Sequence, residues 1–275
     1  MFEKLGHQFV RCDGCKLEAI APQPSDETLG EIYGAHYYDA WGLHDNESVV
    51  GDLKRRTFEY VMGKMQAPAR SGARLLDCGA ATGFLLEVAQ KHGFDVYGLE
   101  LSDFGAKEIA RKFGQDHVFC GELENLAFAN VPSGAAFDAV TMCDYIEHVR
   151  DPRKILSLAH DLLAPGGQLA ITTPDAGSPS HTVLRNGWTH YKVEHLFYFN
   201  RNNLETLLKD LGFTSVKFYP LWKSLTLDYI SHQFDVYPHK AITPVARGIR
   251  KFAPALLRKQ PLPFSTGELL AVATR

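Results

Sequence analysis

With 275 residues, 45% of them apolar and 22% charged, the chain has the size and make-up of one α/β domain with decoration. A formal net charge of −3 offers no basic surface for a polyanion, so nucleic acid is not an expected partner. No apolar run approaches the roughly eighteen residues of a bilayer span, and the opening MFEKLGHQFVRC has no signal-like stretch. Three of the five cysteines, Cys78, Cys120 and Cys143, lie in apolar, strand-like contexts, which suits a reducing, cytoplasmic setting.

Residues 1–50 are rich in Gly, Pro and Tyr with weak periodicity, and read as an N-terminal arm preceding a domain over 51–275. Leu53, Phe58, Val61, Met62 and Met65 recur near helical spacing and predict a helix over 51–70. From Arg74 the pattern alternates. RLLDCG predicts a buried parallel strand, GFLLEVAQKHG a helix closed by Gly93, FDVYGLELS a second strand, SDFGAKEIARKFG a helix and HVFCG a third strand. FDAVTMCDYIEHV opens as a fourth strand, DPRKILSLAHDLLAPGG is a helix starting after Asp151-Pro152, and GQLAITTPD is a fifth strand. RNNLETLLKDLGF (helix), TSVKFYP (strand) and a final strand ELLAVATR follow, the last two separated by an insertion over 221–266. Such alternation predicts an α/β fold: a doubly wound, seven-stranded, mostly parallel sheet, its last two strands pairing antiparallel at one edge.

Ligands of open α/β sheets sit beyond the carboxyl ends of the strands. There the first strand turns through LLDCGAATG, where Gly79 and Gly83 permit close backbone approach and Thr82 offers a hydroxyl. Glu100, ending the second strand, is placed to accept both hydrogen bonds of a ribose diol. A dinucleotide oxidoreductase would need glycine at the third and sixth positions counted from Gly79; Ala81 and Phe84 stand there instead.

LLDCGAATGFLLEVAQKHGFDVYGLELS resembles the first two motifs of class I S-adenosylmethionine-dependent methyltransferases, which have the Rossmann-like fold. FDAVTMCDYIEHVRDP with LLAPGGQLAITTPD resembles their fourth- and fifth-strand motifs, and WTHYKVEHLFYFNRNNLETLLKDLGF is similar to the segment that follows in the type 11/12 or type 23 branch. The resemblance implies S-adenosylmethionine as cofactor. Asp77 and Gly79 would lie at its methionine end, with Ala80 and Gly83 in the same turn, Glu100 on the ribose and Leu101 against adenine. Glu122 and Leu123 would flank the adenine ring, and Cys143 would run along the methionine moiety; the family often has glycine in place of Ala81. The implied reaction is methyl transfer to a small-molecule or lipid-linked acceptor, on oxygen of a sugar or a quinone-like ring. A catalytically inert cofactor-binding relative is the alternative.

A hydroxyl nucleophile gains from a general base, and His148 and His195, in YIEHV and VEHLF, are the candidates, His195 slightly ahead. No metal site is assigned, although Glu147 or Glu194 with a histidine would suit a divalent cation, as in some quinone-forming relatives. In the branch the chain resembles, a small zinc ribbon often precedes the methyltransferase domain; Cys12 and Cys15 form one CxxC pair, and even with His7 the four ligands of a structural zinc are not reached, so the resemblance implies a degenerate, metal-free remnant. Tyr33, Tyr37, Tyr38 and Trp41 could close over the cofactor as a flap or simply pack the arm. Within the insertion, 240–260 interleaves six cations with Ile249, Phe252, Leu256 and Leu257 and has no acid; it suits a lid, a peripheral membrane contact or a solvated surface. Oligomeric state is not legible.

Overall fold

A computed structural model describes residues 1–32, 49–66, 70–128, 131, 136–236, 240 and 242–275. The arm begins with three short strands, β1 (Phe2–Lys4), β2 (His7–Arg11) and β3 (Glu18–Ile20), and a helix α1 (Asp26–Ile32). Helix α2 (Val49–Met62) is shorter than its periodicity predicts. The alternating core follows: β4 (Arg74–Cys78), α3 (Phe84–Lys91), β5 (Asp95–Glu100), α4 (Asp103–Phe113), β6 (Val118–Cys120), β7 (Phe137–Cys143), α5 (Pro152–Leu162) and β8 (Leu163–Pro174). A short helix α6 (Pro179–Leu184) leads to β9 (Phe197–Tyr198), α7 (Arg201–Asp210) and β10 (Ser215–Pro220). The insertion holds β11 (Lys223–Leu225), α8 (Leu227–Val236), α9 (Ile242–Phe252), α10 (Ala255–Lys259) and β12 (Leu262–Phe264), and β13 (Glu268–Thr274) closes the fold.

Seven strands form the central sheet in the order β10-β13-β8-β7-β4-β5-β6. The five from β8 to β6 are parallel, while β13 runs antiparallel between β8 and β10, as the helix-free connection predicts. Helices cover both faces, so Leu75 and Leu76, on opposite faces of β4, are both fully buried. Each such side chain contributes roughly 1.5–3 kcal/mol. Local chemistry sets the helix starts. Gly83 enters α3 in the left-handed region (φ 84°), Asp151 accepts from the Lys154 N–H ahead of Pro152, and Asn200 with Asn203 forms a reciprocal cap on α7.

The arm is more regular than its composition suggests. β1, β2 and β3 form an antiparallel sheet whose fourth strand is β9 from the far side of the chain. Phe9, Ile20, Trp188, Tyr191 and Tyr198 fill a small core of its own. The Tyr191 hydroxyl donates to buried Glu18 at 2.5 Å and lies 2.8 Å from His181 Nε2. The arm therefore braces the 188–198 segment, which carries His195. Exposed Cys12 and Cys15 sit in the β2–β3 connection. Tyr33, Tyr37, Tyr38 and Trp41 lie outside the described residues. No helix among the described residues is long and apolar enough to cross a membrane.

Candidate active site

A cavity of about 1910 Å³ opens at the carboxyl ends of β4, β5 and β7. That exceeds the roughly 300–1,000 Å³ of a one-ligand pocket, leaving room for two reactants side by side. On one side lies the β4 turn. The Glu100 carboxylate is fixed by two backbone donors, Ala81 N–H at 2.7 Å and Ser102 N–H at 2.8 Å. Asp77 is buried and accepts from the Thr141 hydroxyl at 2.6 Å. Burial raises its carboxyl from the ordinary 3.8 to about 7, a rise opposed by Thr141 and assisted by Glu100. Gly79, at φ 76°, is needed by packing as well as by conformation: a Cβ there would stand 2.8 Å from the Tyr145 ring.

The opposite wall comes from remote segments. The 3-10 turn Ile146–His148 follows β7 and is joined to the 192–196 loop, with Leu196 N–H donating to the Glu147 carbonyl at 2.8 Å. His148 Nδ1 donates to the Glu194 carbonyl at 2.9 Å, which leaves Nε2 with the lone pair of the neutral ring. The His148 and His195 rings meet edge to face, centroids 4.7 Å apart. Burial lowers His148 to about 4. Burial also pushes His195 well below its ordinary value, with His148 and Lys192 adding to it. Glu147 is pushed well above the usual carboxylate range by burial and by Asp144.

Ligand atoms of Glu147, His148 and His195 all lie within 4.8 Å of one another, the one such metal-competent trio among the described residues. Glu147 Oε2 and His195 Nδ1 are buried without a hydrogen-bond partner. Beside the trio, Lys223 from β11 bridges Asp144 (3.1 Å) and Glu268 (2.6 Å). Burial would raise Asp144, yet Lys223 and Lys54 hold its carboxyl at about 2. The roof is apolar: α8 turns Tyr229, Ile230 and Phe234 to the cavity, across from Leu53 and Phe58 of α2.

Residues 44–217 match the family described as "Methyltransferase domain". The chain belongs to this methyltransferase family. It is 30% identical over 224 residues to a ubiquinone biosynthesis O-methyltransferase of Psychrobacter arcticus, covering 72% of this chain and 84% of the relative. It is also 30% identical over 176 residues to a sarcosine/dimethylglycine N-methyltransferase of Aphanothece halophytica, covering 58% and 61%. Among solved structures, a SAM-dependent methyltransferase from Thermotoga maritima superposes with a TM-score of 0.56 at 18% identity, covering 90% of this chain and 98% of that one. The fold is the Rossmann-like methyltransferase fold and the cofactor is S-adenosylmethionine, which excludes the dinucleotide oxidoreductase alternative.

The methyltransferase brings Asp77, Gly79, Ala80, Glu100, Leu101, Glu122, Cys143, His148 and His195 to one cavity. Two positions depart from expectation. Gly83 is not on the cavity wall; a Cβ there would meet Phe113 at 3.1 Å and Ile109 at 3.5 Å, so this glycine serves packing of α4 against the turn. Leu123 points into the core, 3% exposed, while its neighbour Glu122 faces the cavity. Thr82 is likewise buried, its hydroxyl without a protein partner. Glu194 contributes its carbonyl to His148 rather than its side chain to a cation site. Sequence reasoning missed Asp144, Lys54 and Lys223. Asp144 had a faint signal, since aspartate tolerates the left-handed φ of 52° found there. Lys223 had none, because it comes from the insertion.

Proposed function

We propose that this methyltransferase transfers the methyl group of S-adenosylmethionine to a hydroxyl on a quinone-like ring that carries an apolar or lipid tail. The cofactor runs from Asp77, Gly79 and Cys143 at its methionine end, past Ala80, to Glu100 at the ribose and Leu101 and Glu122 at the adenine. The clamped Glu100 carboxylate and the roominess of the cavity support this fit. The observation that carries the acceptor side is the neutral His148, its tautomer set by the Glu194 carbonyl, beside His195 under an apolar roof. The acceptor hydroxyl attacks the sulfonium methyl in line, S-adenosylhomocysteine leaves, and the hydroxyl proton passes to His148 Nε2. This ordering puts His148 ahead of His195, because the Glu194 carbonyl at 2.9 Å fixes Nε2 as its basic nitrogen. The oxygen acceptor agrees with the name of the Psychrobacter relative, although the Aphanothece relative is named for nitrogen.

A second reading is favoured by the two orphaned atoms. Two neutral imidazoles and a carboxylate make a donor set suited to a divalent transition ion, which would lower the pKa of a bound hydroxyl. Glu147, His148 and His195 would hold it. At the arm, we read Cys12 and Cys15 as a metal-free remnant because one CxxC pair with His7 falls short of four ligands.

The experiment is conversion of the cofactor to S-adenosylhomocysteine with catechol-type, sugar and amine acceptors, before and after chelator treatment. Turnover with the catechol alone is expected. Turnover confined to the amine removes the oxygen reading, and loss on chelation restored by manganese or zinc selects the metal form.

A further inference from the structure

We propose that the outer face of the insertion is a docking surface for an anionic lipid bilayer. This goes beyond the acceptor reading and stands on the surface alone. Val245, Ile249 and Phe252 follow one another at spacings of four and three that keep them on one side of α9, and Leu256 stands in α10 beyond the break at Pro254; they are 59%, 47%, 82% and 83% exposed. Single exposed apolar residues are ordinary, but three on one side of a helix with a fourth just past its end are not.

Charge decides what covers the row. Segment 240–260 has six cations and no carboxylate. Three of the cations hold the insertion together: Arg247 pairs with Asp235 at 2.7 Å, Arg258 with Asp228 at 3.3 Å, and Arg250 with both at 3.6 Å. Lys240, Lys251 and Lys259 have no acidic partner among the described residues. A notch of about 360 Å³ is lined by Arg247, Arg250, Lys251 and Arg258, four cations against two aspartates, and Arg258 Nε is buried without a hydrogen-bond partner. Lys251 Nζ lies 5.6 Å from the centre of the Phe252 ring, so the most exposed aromatic and an unpaired ammonium share one spot. Apolar side chains flanked by free lysines match the boundary between acyl chains and anionic headgroups. An acidic peptide would use the lysines and leave the apolar row in water.

The placement also has a consequence for the cavity. Helix α8 presents Asp228 and Asp235 to α9 and α10 and Tyr229, Ile230 and Phe234 to the cavity, so the bilayer surface would lie one helix from the acceptor.

The test is cosedimentation of the full chain with phosphatidylcholine vesicles with and without phosphatidylglycerol. We expect binding to the anionic vesicles alone, weakened by added sodium chloride. Lys251→Gln and Lys259→Gln should each weaken it about fivefold, and Phe252→Glu with Leu256→Glu should abolish it. All four side chains are exposed, so the variants should melt like the parent and turn over a tail-less, water-soluble acceptor at the parental rate. No binding at low salt by the folded parent overturns the proposal, as does equal binding to both vesicle types or undiminished binding by the double glutamate variant. Displacement by inorganic phosphate at matched ionic strength would mark the notch as a free-phosphate site and overturn it too. An acidic polypeptide bound in place of vesicles would do the same.

Discussion

The two halves of the cavity are built on different principles. The cofactor half is centred on a strand-to-helix turn and the end of the adjacent strand, Asp77 to Glu100, with backbone N–H groups fixing the key carboxylate and Glu122 and Cys143 bordering it from the ends of β6 and β7. The acceptor half joins a 3-10 turn, the loop that carries His195, a lysine from the insertion and the side of α8. One half is built mainly on local turn geometry and backbone hydrogen bonds, with the Thr141 hydroxyl on Asp77 as its long-range tie; the other is held by contacts between segments far apart in the chain. Variants that affect binding alone should therefore map to the first half, and variants that affect turnover alone to the second.

The largest expected effect tests the acceptor half. His148→Ala should lower kcat about 10²–10⁴-fold while leaving cofactor affinity within about twofold, measured by single-turnover kinetics and calorimetry. His195→Ala should cost less, because its ring packs against His148 and its Nδ1 is not fixed. If both variants keep full turnover, general-base catalysis is wrong here and the reaction is driven by proximity. Conversely, Glu100→Ala should weaken the cofactor by roughly 1.5–3 kcal/mol, the scale of lost hydrogen bonds to a charged group, without touching the chemical step at saturating cofactor. Unchanged binding would remove the ribose assignment.

Those two predictions differ in how early they can be read. The Glu100 position is legible because strand β5 is a local apolar run and its last residue must fall at the sheet's rim. His148 and His195 were legible as candidates, but their meeting depends on the arm, where β3 pairs with β9 and Tyr191 bonds to Glu18. That arm was opaque. Its first hairpin turns through Leu5 and Gly6, both at positive φ, without the Asn-Gly signature such turns usually advertise. Gly83 misled for a different reason: a glycine that makes room for a ligand and one that makes room for Phe113 look the same in sequence. Leu123 misled by parity, since one step along the turn after β6 exchanges cavity for core.

A subtler test concerns Asp77. Its carboxyl sits at about 7 against an ordinary 3.8, so between those values the folded apoprotein holds a proton that the unfolded chain has released. Stability of the apoprotein must then fall as pH rises from about 4 to about 7. Asp77→Asn should flatten this dependence and raise the apoprotein Tm at pH 8 by at least about 3 °C. In the parent, a cationic cofactor end beside Asp77 favours the ionised form, so affinity should be about tenfold weaker at pH 6 than at pH 8. The asparagine variant should bind weakly at both. A parent whose affinity is the same at the two pH values places no charge of the cofactor against Asp77.

The smallest effect lies at Ala81, in the turn after β4. Its φ of 49° puts an L-residue in the left-handed region, which costs about 1–2 kcal/mol in backbone strain. The conformation persists because the Ala81 N–H is held by Glu100 at 2.7 Å, so this alanine is tied to the residue we propose for the ribose. Ala81→Gly removes the strain but frees the unfolded chain, which offsets about 0.4–1 kcal/mol. The balance is a net gain of about 0–1.6 kcal/mol, or a Tm higher by up to about 6 °C. Cofactor affinity should stay within about twofold, since the N–H that positions Glu100 survives the change. A lower Tm would mean that the alanine methyl makes contacts worth more than the strain it imposes. The turn would then be held by side-chain packing as the acceptor half is, and the contrast between the two halves would fail at the cofactor turn itself.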